Sequence, residues 1–239
     1  MLMKYLFFLG LLFSVWACSK REPQTLPIVR YAGTMQEVVE AGDTSAHIYL
    51  DTINPHRRLY GLGVLKGNSG EILIIDGRPY ASKLNAAGLN RIRMTYKLHA
   101  SHLVYTHVRD WQAAELPEDS VVTKHSLGKY LEALAVKRGL DVSKPFPFML
   151  TGTFQKIDYH VSYLEKINKS GTKKRPQTNY TLSDANIIIL GFFSKKHQGI
   201  FTEPGSDVVM GFMTTTASKI GQIDQLTLKG SKVQLLLPE

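Results

Sequence analysis

The chain contains almost no cysteine, since Cys18 is the only one in 239 residues. The part of the chain after Cys18 therefore has no disulfide, no cysteine-based metal site and no cysteine nucleophile. Internal repeats and low-complexity tracts are absent, and no apolar run reaches the roughly 20 residues of a membrane-spanning helix. Gly61-Leu-Gly63 is not followed by a helical pattern, so a nucleotide-binding βαβ unit is not predicted. What remains is typical of a globular protein with one sizeable core or two small intertwined subdomains.

The first 17 residues resemble a bacterial lipoprotein signal peptide. Lys4 supplies a positive charge, Tyr5 to Val15 is almost wholly apolar, and Val15-Trp-Ala-Cys18 resembles the lipobox cut by lipoprotein signal peptidase. The apolar run is too short for a permanent membrane span. The resemblance implies cleavage before Cys18 and a lipid on its sulfur. The alternative is an ordinary secretory signal peptide with a chance cysteine.

Residues 18–30 are polar and interrupted by proline, which is typical of a short tether. Ser19 stands where an aspartate is associated with retention in the inner membrane. The resemblance therefore implies an outer-membrane lipoprotein that faces the periplasm. The membrane, reached through the lipid on Cys18, is the first expected partner.

Basic residues outnumber acidic ones by 29 to 20, which gives a formal net charge of +9. The densest cluster of lysines and arginines contains no aromatic side chains between them. This favours a solvated loop over a nucleic-acid site. A general attraction to anionic lipid headgroups is compatible with the net charge. No nucleic-acid partner is expected. The cluster consists of Lys166, Lys169, Lys173, Lys174 and Arg175.

The remaining pattern predicts a β-rich α+β protein with mixed or antiparallel sheets. Leu59–Leu65 and Glu71–Ile75 are apolar runs on either side of a turn, which predicts a hairpin. A strand through Tyr80 follows. Further strands are expected at 91–97, 103–108, 150–154, 159–164, 185–193, 206–214 and 225–237, with Pro145 to Phe148 breaking the pattern before 150.

Two helices are expected. The main one runs from about Ser126 to Arg138, with Leu131, Leu134 and Ala135 on one face and a glycine stop after it. A short one covers 34–41, where Thr34 and Glu37 have the spacing of a capping box.

Four segments resemble the alpha-acetolactate decarboxylase family. Tyr60-Gly-Leu-Gly-Val-Leu65, followed by Gly70-Glu-Ile-Leu-Ile-Ile-Asp-Gly-Arg-Pro-Tyr80, is similar to the family's N-terminal signature. Residues 147–154 are similar to its central strand, and 199–224 to its metal-binding region. The resemblance implies that 31–239 is one acetolactate decarboxylase-like domain of two intertwined β-rich halves.

The family's activity sets what the site should contain. Decarboxylation of acetolactate to acetoin leaves an electron pair, which a zinc ion stabilises as a Lewis acid. Three histidines hold the zinc, two of them from a His-x-His pair on one strand. A glutamate and an arginine handle protons and the substrate carboxylate. Zinc is thus the cofactor expected if the family activity is retained.

The chain departs from the family at these positions. By resemblance, the His-x-His pair falls on Val209 and Gly211, and the third histidine on Gln222. Valine and glycine offer no side-chain ligand, and glutamine is a poor substitute for imidazole. The family's arginine position falls near Met149, and the family's glutamate position falls on Glu71, which is still a glutamate. We therefore expect no metal and no cofactor.

Three local questions stay open. Glu71 is either a carboxylate of a pocket or an exposed residue after a turn. Val209 and Gly211 leave either an apolar cavity or a space filled by their neighbours. A relocated metal site would use His160, His197 and Glu203. His102 and His107 are further donors, although a spacing of five places them on opposite faces of a strand.

Three hypotheses follow. The first is an exported, catalytically degenerate lipoprotein that binds a small ligand or a partner. The second is an active acetolactate decarboxylase with an unusual metal site. Acetolactate is made in the cytoplasm, so an exported enzyme would meet little of this substrate. The third is an unrelated β-rich envelope binding protein. Association of identical subunits is compatible with all three.

Overall fold

The computed structural model describes residues 25–85, 90–116, 121–162, 177–228 and 232–239. These residues form fourteen β-strands and one α-helix, α1, at Lys124–Lys137, so the predicted β-rich α+β class is confirmed. The strands are β1 Arg30–Ala32, β2 Ile48–Tyr49, β3 Leu59–Leu65, β4 Glu71–Ile75, β5 Arg78–Leu84, β6 Asn90–Met94, β7 His99–His107, β8 Trp111–Ala114, β9 Val121–Thr123, β10 Phe146–Ser162, β11 Gln177–Phe193, β12 Val208–Thr214, β13 Ile220–Thr227 and β14 Val233–Pro238.

The strands form two sheets, and all named pairs are antiparallel. The first has the order β1-β7-β3-β4-β5-β6, with β2 also paired to β7. The second has the order β8-β14-β10-β11-β12-β13-β9, and β13 pairs back onto β10. Strands β10 to β13 therefore close into a ring. The first sheet takes β1 to β7 and the second takes β8 to β14, and no described strand is exchanged between them.

Two strand predictions need correction. The run at 150–154 and the described part of the run at 159–164 belong to one strand, β10, which already begins at Phe146 and includes Pro147. The run at 225–237 is divided between β13, which ends at Thr227, and β14, which begins at Val233. The predicted hairpin is confirmed as β3 and β4.

The main helix is also confirmed, and it begins slightly earlier than predicted. Thr123 is its N-cap: the Ser126 N–H donates to Thr123 Oγ1 (3.1 Å), and the Thr123 N–H donates to Ser126 Oγ (3.0 Å). Leu131 and Ala135 are fully buried on the face that packs against the second sheet. Gly139 follows the last turn with φ +73°, a conformation that favours glycine.

The predicted short helix is a single π-helical turn, Gln36–Glu40. Its capping box is present, since the Glu37 N–H donates to Thr34 Oγ1 and the Thr34 N–H donates to Glu37 Oε2. The N–H groups of Met35 and Gln36 donate to carbonyl oxygens of another segment, those of Ile200 and Gly199. These bonds hold Met35 over the space between the two sheets.

Three apolar clusters form the core. One lies inside the second sheet under α1, and one lies on the outer face of the first sheet. The third lies between the sheets and includes Leu62 and Leu73 from the first and Val209 and Ile220 from the second. This middle cluster surrounds the candidate site.

The predicted signal peptide, Cys18 and the basic cluster at 166–175 lie outside the described residues. Within the described residues, no helix combines the length and apolar character needed to cross a membrane. All fourteen strands and α1 lie after residue 29, so a chain that begins at Ser19 keeps the whole described fold.

Candidate functional site between the sheets

A small cavity lies where β3, β4 and β7 of the first sheet face β12 and β13 of the second. Its volume is about 30 Å³. Such a volume has room for one or two water molecules. Its lining is mostly apolar, with three polar side chains, those of Glu71, His102 and Gln222.

The three positions that resemble the family's zinc ligands meet at this cavity. Val209 and Gly211 are two residues apart on β12, so their positions share one face of the strand. Gly211 is paired directly with Gln222 on β13. All three residues line the cavity together with Glu71.

Leu62 occupies the space in front of Gly211. A Cβ added to Gly211 would lie 2.8 Å from Leu62 Cδ2 and 3.6 Å from Leu73 Cδ1. The first distance is too short for two carbon atoms. Neighbouring side chains have therefore filled most of the space that a side chain at position 211 would take, and only a small cavity remains.

Glu71 is a buried carboxylate, 5% exposed, so the alternative of an exposed residue after a turn is wrong. Its Oε1 accepts a hydrogen bond from the Ser162 N–H at the end of β10 (2.9 Å). Glu71 is paired with Val64 of β3, and both line the cavity. The carboxylate thus joins the two sheets at the cavity's edge.

His102 is a cavity residue that sequence reasoning did not place there. It is paired with Val64 from the side opposite Glu71, so both polar residues lie on one face of the first sheet. Its imidazole is 3% exposed, and Nδ1 lies 3.0 Å from the Gly33 carbonyl oxygen. The carbonyl can only accept, so Nδ1 carries the proton. Placing His102 at the cavity requires knowing that Val64 pairs with Glu71 on one side and with His102 on the other, and the sequence does not show this register.

The relocated metal site is not found. Among the described residues, no three His, Cys, Asp or Glu side chains lie close enough to hold a metal ion. Each proposed ligand has a partner elsewhere: His160 Nδ1 contacts Asp224 (2.9 Å), His197 Nδ1 contacts Ser194 Oγ (2.7 Å), and Glu203 accepts from Lys124 Nζ (3.0 Å). Burial lowers the pKa of His197. His107 bonds the Pro55 carbonyl, away from the cavity.

The cavity does not fit the zinc site of the decarboxylase family. Two of the three ligand positions have no side-chain donor, and the third offers only an amide. Met149, near the arginine position, packs in the apolar cluster and does not line the cavity. No lysine or arginine is among the described residues of the lining, so a carboxylate-binding cation is also missing there.

Removing the carboxylate should destabilise the fold through Ser162. In Glu71→Ala, the buried Ser162 N–H loses its acceptor, and we expect the free energy of unfolding to fall by about 2 kcal/mol. Glu71→Gln keeps an acceptor oxygen and should cost clearly less. Urea denaturation of both variants measures the difference. Equal losses would show that the hydrogen bond to Ser162 contributes nothing to stability.

No protein-family model and no curated protein matches the sequence. Solved structures do. The alpha-acetolactate decarboxylase of Bacillus subtilis strain 168 is 15% identical, with a TM-score of 0.66 over 87% of this chain and 83% of that one. Acetolactate decarboxylase from Bacillus subtilis subspecies spizizenii is 16% identical, with a TM-score of 0.67 over 88% and 86%. A Staphylococcus aureus protein of unknown function, similar to alpha-acetolactate decarboxylase, is 13% identical, with a TM-score of 0.67 over 89% and 85%.

These likenesses show that the chain has the acetolactate decarboxylase fold. They run over most of each chain, so the predicted fold family is confirmed at the level of architecture. The fold alone does not determine the chemistry, which depends on the side chains in the cavity.

Proposed function

We propose that this chain is an exported lipoprotein with the acetolactate decarboxylase fold that binds a small neutral molecule or a partner and does not decarboxylate acetolactate. One observation carries the proposal. The three positions that resemble the family's zinc ligands come together around one cavity, but they carry Val209, Gly211 and Gln222, and Leu62 fills the space beside Gly211.

The lining favours a neutral ligand. Among the described residues of the lining, Glu71 is the only acid, and none is a lysine or an arginine. An acetolactate anion would bring a second carboxylate into an apolar space without a cation to compensate it, which is costly. A small alcohol or ketone could instead use the amide of Gln222 and the imidazole of His102, both buried.

The cellular location that we propose follows from the N-terminal residues. Cys18 ends an apolar run with the spacing of a lipobox, and Ser19 favours the outer membrane. A lipid-anchored protein facing the periplasm would meet little acetolactate, which is made in the cytoplasm. The proposed location and the side chains of the cavity thus support the same conclusion.

A second candidate is a decarboxylase with a different metal site. It is favoured by the placement of His102 and Glu71 on one wall of the cavity, with His102 Nδ1 hydrogen-bonded to a backbone carbonyl as in many metal-binding histidines. A catalytic zinc ion needs three protein ligands, and Gln222 is the remaining polar side chain in the described lining. The third hypothesis, an unrelated β-rich envelope protein, predicted a fold other than that of acetolactate decarboxylase. It is not supported, because the chain has that fold.

Acetoin is a suitable probe because it is small, neutral and carries both a ketone and a hydroxyl group. We expect it to bind the chain from Ser19 onward with a millimolar Kd and to shift the methyl NMR signals of Leu62, Val209 and Ile220, which line the cavity. Leu62 must move to admit it. Gln222→Leu should weaken binding roughly tenfold by removing a hydrogen-bonding group.

The matched control is Gln234→Leu, the same change at an exposed position of β14. It should leave the acetoin Kd unchanged. Tighter binding of acetolactate than of acetoin, or shifts confined to methyl groups outside the cavity, would overturn the proposed neutral-ligand site.

A further inference from the structure

The chain has a long stretch without acidic residues. Between residues 77 and 109 there are six lysines and arginines and no aspartate or glutamate. This stretch contains β5, β6 and β7 of the first sheet. Strand β6 is the edge of that sheet, at the opposite end from β1. Five of the six basic residues lie on β5 or β6 or just after β6, so the positive charge is concentrated at this edge of the sheet.

A groove of about 760 Å³ lies along β5 and β6. Its apolar lining includes Ile92 and Leu98. Four exposed basic side chains surround it, and no acidic residue is among those described in its lining: Lys83, Arg91, Arg93 and Lys97. The volume is within the range of ligand-binding clefts and much larger than that of the cavity between the sheets.

Two features of the groove are unfavourable for the isolated fold. Lys83 and Arg91 are paired directly across β5 and β6, where like charges repel. Within the described parts of the chain, none of the four basic side chains of the groove has a carboxylate within ion-pair distance. An anionic surface would relieve the repulsion and supply the missing counter-charges.

We propose that the β5–β6 groove docks the protein onto a membrane by binding the headgroups of anionic phospholipids. Phosphate groups match the basic rim, and the apolar lining, which includes Ile92 and Leu98, matches the glycerol region just below the headgroups. The choice of a membrane, and not a soluble polyanion, rests on the proposed lipid anchor at Cys18. Two attachment points, a lipid chain and a basic patch, are what stable membrane association requires.

The distances are compatible with both attachments on one membrane. Cys18 is seven residues before Thr25, and seven residues span at most about 25 Å. From β1 to β6 the first sheet has five strand spacings, which amount to about 24 Å. The sheet can therefore lie across the membrane surface with its N-terminal edge within reach of the anchor.

The test uses the unlipidated chain from Ser19 onward and vesicle co-sedimentation. We expect binding to phosphatidylcholine vesicles that contain phosphatidylglycerol, little binding to pure phosphatidylcholine, and weakening as salt is raised. Arg91→Gln with Arg93→Gln should lower the partition coefficient about 30-fold, since each basic side chain near an anionic surface contributes about fivefold. Soluble glycerol phosphate should not compete if a bilayer surface is required.

The matched control is Lys129→Gln with Lys196→Gln, which removes the same charge from exposed positions of the other half. It should change the partition coefficient by less than about threefold. Equal losses in the two double variants would show that net charge, and not the groove, drives binding. Binding unaffected by the arginine changes, or none at all, would overturn the groove proposal and leave the cavity proposal intact, because the acetoin experiment tests that separately.

Discussion

Histidines at positions 209, 211 and 222 should create a zinc site in this chain. We expect the variant Val209→His, Gly211→His, Gln222→His with Leu62→Ala to bind one zinc ion with a Kd below about 1 µM. Positions 209 and 211 share a face of β12, and position 222 is paired with 211, so the three imidazoles converge. Leu62→Ala is included because Leu62 Cδ2 would lie 2.8 Å from the new Cβ. Zinc per chain after dialysis, and calorimetric titration, measure the gain.

Two controls separate the ligands from the space that they need. Leu62→Ala alone enlarges the cavity without adding a ligand and should bind no zinc beyond the wild-type level. The three histidines without Leu62→Ala should bind zinc more weakly, since Leu62 must move. If the four-residue variant binds no more zinc than Leu62→Ala alone, these positions do not form the metal site of the decarboxylase fold.

The second large effect is expected at Gly63 in β3. A Cβ there would lie 2.2 Å from the His102 carbonyl oxygen and 2.9 Å from Leu103 Cδ1. The first contact is with backbone in the neighbouring strand β7, so relief requires the two strands to separate. We expect Gly63→Ala to lower the free energy of unfolding by about 3 kcal/mol or more, measured by urea denaturation.

Gly61→Ala is the graded control in the same strand. Its Cβ would meet Tyr105 Cβ and the Val104 carbonyl oxygen at 3.1 Å, contacts that a small shift relieves. Its cost should be about 1 kcal/mol. Equal losses at the two positions would show that close approach to β7 does not explain the glycine at 63. Close packing of β3 against β7 would then not explain why Gly61 and Gly63 are glycines.

The sequence best predicts those elements whose pattern lies within a short stretch of the chain. The β3–β4 hairpin follows from two apolar runs and a glycine-rich turn, and α1 from its periodicity and the glycine after it. The Thr34–Glu37 capping box was predicted as well. The helix behind it is only one π turn, and the Met35 N–H before it donates to the Ile200 carbonyl oxygen, far along the chain.

The errors concern strands whose extent depends on partners. Pro147 is a plausible strand breaker because it has no N–H, yet it lies within β10. Its registered partner is Phe192 of β11, and the pairing of β10 with β14 begins only at Met149. Proline is tolerated where a strand is paired on one side only. Lys229-Gly-Ser-Lys232, directly before β14, is a turn signal that the single predicted run at 225–237 ignored.

The candidate site was predictable only in part. Resemblance placed Val209, Gly211, Gln222 and Glu71, and the structure brings these four together. His102 was missed as a cavity residue because its position depends on the register of β7 against β3. The filling of the space by Leu62 depends on side-chain packing between two sheets, which no sequence motif encodes.

The absence of a zinc-dependent decarboxylase is tested by the zinc content and the acetoin release of the purified chain from Ser19 onward, after incubation with zinc and dialysis. We predict far less than one zinc per chain, and acetoin formed from acetolactate only at the rate seen without protein, with or without a chelator. One zinc per chain, together with acetoin formation that a chelator abolishes, would overturn the proposed loss of the zinc site and establish a working decarboxylase with a different metal site.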